Sequence, residues 1–345
     1  SIWSWNGYPS RTLLYTQDIS AAPWLDFGSN PQPPEPALKL GWMIGDIEID
    51  PFDPNRMMYG TGATIYGSNN LLNWGTSTKV NISVMAKGIE EEAIFDLISP
   101  PSGANLLSAM ADVSGFRHDS LTTSPTTMFV GPNKTNSIDF AELNPGFMAR
   151  VGAVDDTNTA SIAFSYDGGG NWYNPNRPSG TKGGGNIAVS ADGSTLVWST
   201  SDQGVYYSAG GNSWTAISNL PQGSKVASDR ANKNKFYAFG DGKVYVSTNG
   251  GASFTQSAAA GLPTTGDLKT VFGKEGEVWI AGGSDTTVYG LWHSSDSGAT
   301  FTKLSNVQEA DVVGFGKAAT GQTYPAIYTS AKIDGVRGFF RSDDA

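Results

Sequence analysis

The chain has 345 residues, 39% of them hydrophobic and 16% charged, with 43 Gly, 18 Pro, no Cys and a formal net charge of −10. This is a turn-rich globular composition, which rules out a disordered chain and a disulfide scaffold. With no basic stripe to release counterions, nucleic acid is not expected as a partner, and with no apolar run of about 18 residues a membrane span is not expected either. The acidic balance suits a neutral partner such as a polysaccharide.

Residues 1–40 read as a connector. Ser1 to Pro9 is aromatic and turn-rich, and Phe27 to Pro36 holds Pro31, Pro33, Pro34 and Pro36. Trp3, Trp5 and Trp24 are suited either to stacking on sugar rings or to pinning the connector down. Ser1 is not an initiator Met and no signal peptide is visible, so a mature, processed or partial chain is expected. Asn81-Ile-Ser83 and Asn133-Lys-Thr135 would permit glycosylation in a secreted protein.

From residue 41 to 345 the chain repeats. Alternating strands and turns form units at Gly41–Trp74, Glu91–Ser120, Phe147–Trp172, Gly185–Trp214, Val226–Phe254, Leu268–Phe301 and Asp311 to the end. A box of the form Ser-x-Asp-x-Gly-x-x-aromatic closes several of them. It is seen in Ser165-Tyr-Asp-Gly-Gly-Gly-Asn-Trp172, Ser247-Thr-Asn-Gly-Gly-Ala-Ser-Phe254 and Ser294-Ser-Asp-Ser-Gly-Ala-Thr-Phe301, with a shorter form at Ser208–Trp214 and a first half at Ser342–Ala345. Serines 165, 208, 247, 294 and 342 lie 43, 39, 47 and 48 residues apart, a spacing that belongs to propeller blades or solenoids. The expected fold is all-β: a seven-bladed β-propeller with Asp-box repeats, its last blade incomplete. The box reads as turn chemistry, its Ser and Asp capping backbone N–H groups and its aromatic pinning the hairpin.

Within the second unit, Leu106–Ala111 reads as a buried strand, Asp112-Val-Ser-Gly115 as a tight turn and Phe116 as the start of the next strand. In an up-and-down blade this turn lies at the same end as the start of the first strand. Asp112, Glu90 to Glu92, Trp42 and Thr64 are therefore expected on one rim. Clustered carboxylates raise one another's pKa, as a general acid requires, and Trp42 would offer a platform for a sugar. Asp202 and Asp241 occupy the same turn in later units, so repeat position alone does not separate a catalytic Asp112 from a turn-closing one. Asp46, Glu48 and Asp50 alternate on one strand face, but Asp50-Pro51 begins a turn echoed at Asp192 and Asp229 and reads as structural. His118 and His293 lack metal-ligand spacing, and no nucleophile elbow or phosphate loop is present, so neither metal nor cofactor is expected.

Trp24-Leu-Asp-Phe27, Gly41-Trp-Met-Ile44, Ile49-Asp-Pro-Phe-Asp-Pro-Asn55, Met58–Tyr66, Gly88-Ile-Glu-Glu91 and Asp112-Val-Ser-Gly-Phe-Arg-His-Asp119 resemble the C-terminal half of glycoside hydrolase family 74, the xyloglucan-cleaving β-1,4-glucanases. The resemblance implies two seven-bladed propellers with a cleft between them, and hydrolysis with inversion by one Asp from each. It maps the C-terminal one onto Asp112, with Trp42, Thr64, Glu90, Glu91 and Arg117 as candidate substrate contacts. It also implies xyloglucan or a related β-glucan as substrate, secretion, no cofactor, and an N-terminal propeller as the partner that supplies the second carboxylate. Leu13-Leu-Tyr-Thr-Gln-Asp18-Ile only faintly echoes that partner's motif. The short Phe27–Gly41 segment resembles endo-acting members. A non-catalytic propeller that binds glycan or protein through the same rim is the rival reading. A sialidase would need an arginine cluster with a Tyr/Glu pair, and no such set is recognisable.

Overall fold

The structure is a computed structural model that describes residues 15–18, 43–62, 65–73, 76–78, 80–85, 93–111, 113–123 and 125–344. These form seven sheets and one short 3-10 turn, Leu71–Asn73. The first sheet contains β1 (Tyr15–Asp18), β2 (Ile47–Ile49), β3 (Met57–Gly60), β4 (Ile65–Ser68) and β5 (Val80–Val84), in the order β1-β5-β4-β3-β2. The second holds β6 (Ile94–Ile98), β7 (Leu106–Met110) and β8 (Gly115–His118). The third holds β9 (Ser137–Ala141), β10 (Asn144–Val151) and β11 (Ile162–Ser165).

Three four-stranded meanders follow: β12 (Asn186–Val189) to β15 (Thr215–Ile217), β16 (Lys225–Ser228) to β19 (Thr255–Gln256), and β20 (Gly266–Thr270) to β23 (Thr302–Lys303). Their middle strands are β13 (Thr195–Thr200), β14 (Gly204–Ala209), β17 (Phe236–Gly240), β18 (Lys243–Ser247), β21 (Val278–Gly282) and β22 (Gly290–Ser294). The last sheet holds β24 (Val307–Gly316), β25 (Ala326–Ile333) and β26 (Val336–Ser342). Neighbouring strands are antiparallel except β1, which runs parallel to β5. The segment read as a connector thus contributes a strand to the first sheet.

The first strands of six consecutive sheets, β6, β9, β12, β16, β20 and β24, lie side by side in that order. They line a channel, and the sheets fan outward from it. Each apolar cluster bridges two successive sheets. Phe147 and Phe164 of the third sheet pack with Ile187, Leu196 and Trp198 of the fourth. Val197 and Val205 of the fourth meet Phe236 and Ala238 of the fifth, and Trp279 and Leu291 of the sixth meet Val313 and Ile327 of the seventh. Burial on both faces explains why β9 and β21 are buried at every position while the outer strands β19 and β23 are exposed at every position.

The third unit differs from its sequence reading. It begins at Ser137, ten residues before the expected Phe147, because β9 is its first strand. The five residues of β9 show no alternation of burial, and Asp139 among them masks the apolar pattern. That carboxylate is satisfied by distant partners, Arg230 Nη2 at 2.7 Å and the Val189 amide at 2.7 Å.

The box turns are closed by their own side chains. The Ser165, Ser247 and Ser294 hydroxyls accept from the amides of Gly169, Gly251 and Gly298 at 2.8, 2.9 and 2.9 Å. Asp167, Asn249 and Asp296 then cap the amides of Asn171, Ser253 and Thr300. The Ser68 hydroxyl donates to Asn70 Oδ1 at 2.9 Å and that of Ser342 to Asp344 Oδ1 at 2.8 Å, as that of Ser165 does to Asp167 Oδ1 at 2.8 Å. The pair at Ser68 went unread in the sequence, where Asn stands for Asp and Trp74 closes the pattern.

Candidate functional site

The β7–β8 turn is the centre of the candidate site. β7 and β8 pair with Ala109 opposite Gly115, so the chain reverses over 110–114. The Met110 amide donates to the Ser114 carbonyl at 3.0 Å, and Ala111 N–H to Ala93 O at 3.0 Å, which places the turn beside the start of β6. Gly115 has φ +139°, and a Cβ there would stand 2.0 Å from the Ser108 carbonyl oxygen, so glycine is required. Ser114 takes φ 64° and is fully buried, as is Val113 at 1% exposure.

Asp112 itself lies outside the described residues, as do Trp42, Thr64, Glu90 and Glu91. Arg117 is described. It sits on β8, where its Nη2 and Nε both reach Asp119 Oδ1, at 2.9 and 3.0 Å. Its Nη1 would lie 3.1 Å from a Cβ at Gly170, so it abuts the 167–170 box turn of the next sheet. That contact lies at the opposite end of the sheet from the β7–β8 turn.

Beneath the turn lies a buried polar knot. Arg150, on β10, is fully buried. Its Nη1 donates to Ser114 Oγ (3.0 Å), Thr135 Oγ1 (3.0 Å) and the Pro132 carbonyl (3.1 Å), and its Nη2 to the carbonyls of Gly131 (2.6 Å) and Val130. The guanidinium lies over the Phe129 and Trp172 rings, 5.0 and 4.7 Å from their centroids. Burial pulls its pKa down to about 9.

At the same end of the sheets, the starts of the first strands surround a polar channel mouth of about 480 Å³, with Asp96, Asn136, Asn186, Lys225, Asp267 and Lys269 among its walls. Asp96 accepts from Ser137 Oγ and the Ile138 amide, both at 3.2 Å, and lies 4.0 Å from Lys269 Nζ. Burial pushes its carboxyl pKa up, against the opposing pull of Lys269. Lys269 is held protonated chiefly by Asp267, 3.6 Å away. These charges were missed in the sequence. The signal was an acid early in a first strand, at Asp96, Asp139 and Asp267, which alternation between polar and apolar positions hides. At the turn homologous to 111–114, Asp202 accepts from Thr181 Oγ1 and the Lys182 amide at 2.5 and 2.8 Å, a loop-tying role. Asp50, Asp192 and Asp229 likewise cap amides two residues on. Among the described residues no group of three His, Asp or Glu side chains could hold a metal ion.

Comparison with known proteins places this arrangement. A xyloglucanase from a Paenibacillus species is 64% identical over 99% of this chain and 34% of its own length. A xyloglucanase from Acetivibrio thermocellus is 54% identical over 100% of this chain and 41% of its own. The crystal structure of the glycoside hydrolase family 74 xyloglucanase from Xanthomonas campestris superposes with a TM-score of 0.82 at 32% identity, covering 97% of this chain and 47% of that one. The chain belongs to glycoside hydrolase family 74. No protein-family model matches it. The family 74 chain therefore spans between about a third and a half of the length of the relatives it matches. The family 74 enzyme from Niastella koreensis gives a TM-score of 0.76 at 33% identity over 89% of this chain. With these neighbours, the seven sheets are consistent with a β-propeller.

Proposed function

We propose that this chain is the C-terminal propeller of a secreted, endo-acting xyloglucanase. It would hydrolyse β-1,4-glucosidic bonds of the xyloglucan backbone with inversion. The observation that carries the reading is 64% identity along 99% of the chain with a xyloglucanase. The seven sheets are its blades, the first sheet being one of the seven, and the Ser/Asp turns are its Asp-boxes.

Inversion needs two carboxyl groups about 6.5–9.5 Å apart with a water between one of them and the anomeric carbon. In this reading Asp112 is one of the two and acts as the general acid, protonating the departing glycosidic oxygen. A carboxylate from an N-terminal propeller deprotonates the water that attacks from the opposite face. Trp42 would stack on a glucosyl ring, and Thr64, Glu90 and Glu91 would bind hydroxyls along the rim. Arg117 enters as a brace of β8, since its guanidinium is engaged by Asp119.

Joined to the remaining half of a related xyloglucanase, the chain should release reducing ends from xyloglucan, and Asp112→Ala should abolish turnover without loss of folding. Near-normal turnover by that variant would remove the assignment. The chain by itself should show no hydrolysis. Xyloglucan binding without turnover, even with the other half supplied, would favour the non-catalytic binding propeller instead.

A further inference from the structure

Arg150 is an expensive residue for its position. It is fully buried, and among the described residues no carboxylate pairs with it; burial alone shifts its pKa. A methionine or leucine would fill the same space without the cost of desolvating a guanidinium. The donors of its two terminal nitrogens converge on two places, the 130–135 loop and Ser114 of the β7–β8 turn, while its Nε makes no hydrogen bond among the described residues. Ser114 Oγ also donates to the Pro132 carbonyl at 2.7 Å, so the turn and the loop are tied to one cation and to each other. Ser114 holds a left-handed backbone without being glycine, and Asp112 stands two positions before it in the sequence. A planar fork of donors fixes the acceptors on both loops in a way a flexible ammonium does not.

We propose that Arg150 is a positioning residue for the reaction. It bolts the β7–β8 turn to the 130–135 loop through Ser114, and so fixes the segment that presents Asp112. The inference rests on the reading of Asp112 as one of the two catalytic carboxylates.

The test uses the chain joined to the remaining half of a related xyloglucanase, with Ser114→Ala, Arg150→Lys, Arg150→Met and Asp112→Asn measured side by side. Ser114→Ala removes the bolt's contact with the turn and leaves Arg150 its other acceptors. It should lower kcat by about tenfold to a hundredfold, the cost of misplacing a reacting group by a fraction of an ångström to an ångström, with KM within about twofold. Arg150→Lys should recover part of the kcat lost in Arg150→Met. Combining Ser114→Ala with Arg150→Met should cost kcat no more than Arg150→Met alone. If Arg150→Met fails to fold, Ser114→Ala and Arg150→Lys decide. Folded Ser114→Ala and Arg150→Lys proteins with a lowered melting temperature but unchanged kcat would overturn the inference while an inactive Asp112→Asn upheld the catalytic reading. An active Asp112→Asn would instead overturn that reading and this inference with it.

Discussion

Single side chains carry much of the fold's specificity here, and two of them make measurable predictions. Asp139 and Arg230 form an ion pair 2.7 Å long with side-chain exposures of 6% and 17%. Arg230 also donates to the Phe140 carbonyl and lies 5.1 Å over the Phe140 ring. Removing one partner strands the other away from water, so Asp139→Ala should cost about 3–5 kcal/mol in denaturant unfolding. The double variant Asp139→Ala, Arg230→Met should recover part of that loss, and a fully additive double variant would show that the pair is not coupled. The box carboxylates give a pH dependence. Asp167 is held down to about 2, first by the Asn171 amide and then by the Asn171 and Ser165 side chains and the Gly170 amide. A carboxyl whose folded pKa is depressed stabilises the fold above its unfolded value of about 3.9 and loses that contribution as pH falls. Acid unfolding should therefore deepen between about pH 4 and pH 2. Asp167→Asn, which lacks the titrating group, should flatten that limb of the stability profile measured by thermal melting; an unchanged limb would exclude Asp167 as a contributor.

At the scale of the element, the strands divide into those that the sequence states locally and those that it does not. The β7–turn–β8 hairpin is local: Leu107, Ala109 and Met110 are buried, the chain turns through 111–114, and Gly115 supplies the backbone that β8 needs. Gly115→Ala should prevent the hairpin from closing, because the added methyl meets the Ser108 carbonyl rather than a movable side chain. Loss of the folded far-UV and near-UV spectra would report it, and a protein with native spectra and melting temperature would count against the required glycine. The boxes were legible for the same reason: the groups that close each turn lie within a few residues of one another. β9 was not legible, since its charge is matched ninety-one residues later in the chain. The Arg150 knot was invisible on the same ground, as nothing near Arg150 in sequence announces Ser114, 36 residues upstream. Asp112 stood out only through the family motif, because Asp202 shows how readily an Asp at that turn serves to tie loops. Between sheets, Trp198 has no exposed surface and donates to the Gly184 carbonyl at 2.8 Å. Its neighbours come from two sheets, so Trp198→Ala opens a cavity in a seam and should cost about 3–5 kcal/mol in chemical unfolding.

The whole molecule raises the question of how the ring closes. The five seams from the second sheet to the seventh are each filled by a bridging apolar cluster. By contrast, a cavity of about 740 Å³ lined by the first strands of these six sheets extends to the seam between the second and the seventh, where Ile94 and Leu97 line it from one sheet and Tyr328 and Phe339 from the other. Phe339 is 93% exposed, and so in large part are Ile94 and Leu97. Such an apolar, partly open seam is costly to leave to water. The first sheet carries a matching surface, since Ile47 and Ile49 of β2 are 56% and 52% exposed. In the proposed seven-bladed reading the first sheet takes the seventh place, and filling it would cover both apolar faces at once. Ile47→Asp and Phe339→Asp separate a closed ring from an open one. At solvent-facing positions each change should be worth within about 0.5 kcal/mol. In a closed seam each should cost about 2 kcal/mol or more, the value of a buried aliphatic or aromatic side chain. Closure predicts the larger cost for both variants in urea unfolding, together with faster amide exchange in β6 and β26, and two neutral variants would leave the first sheet outside the ring.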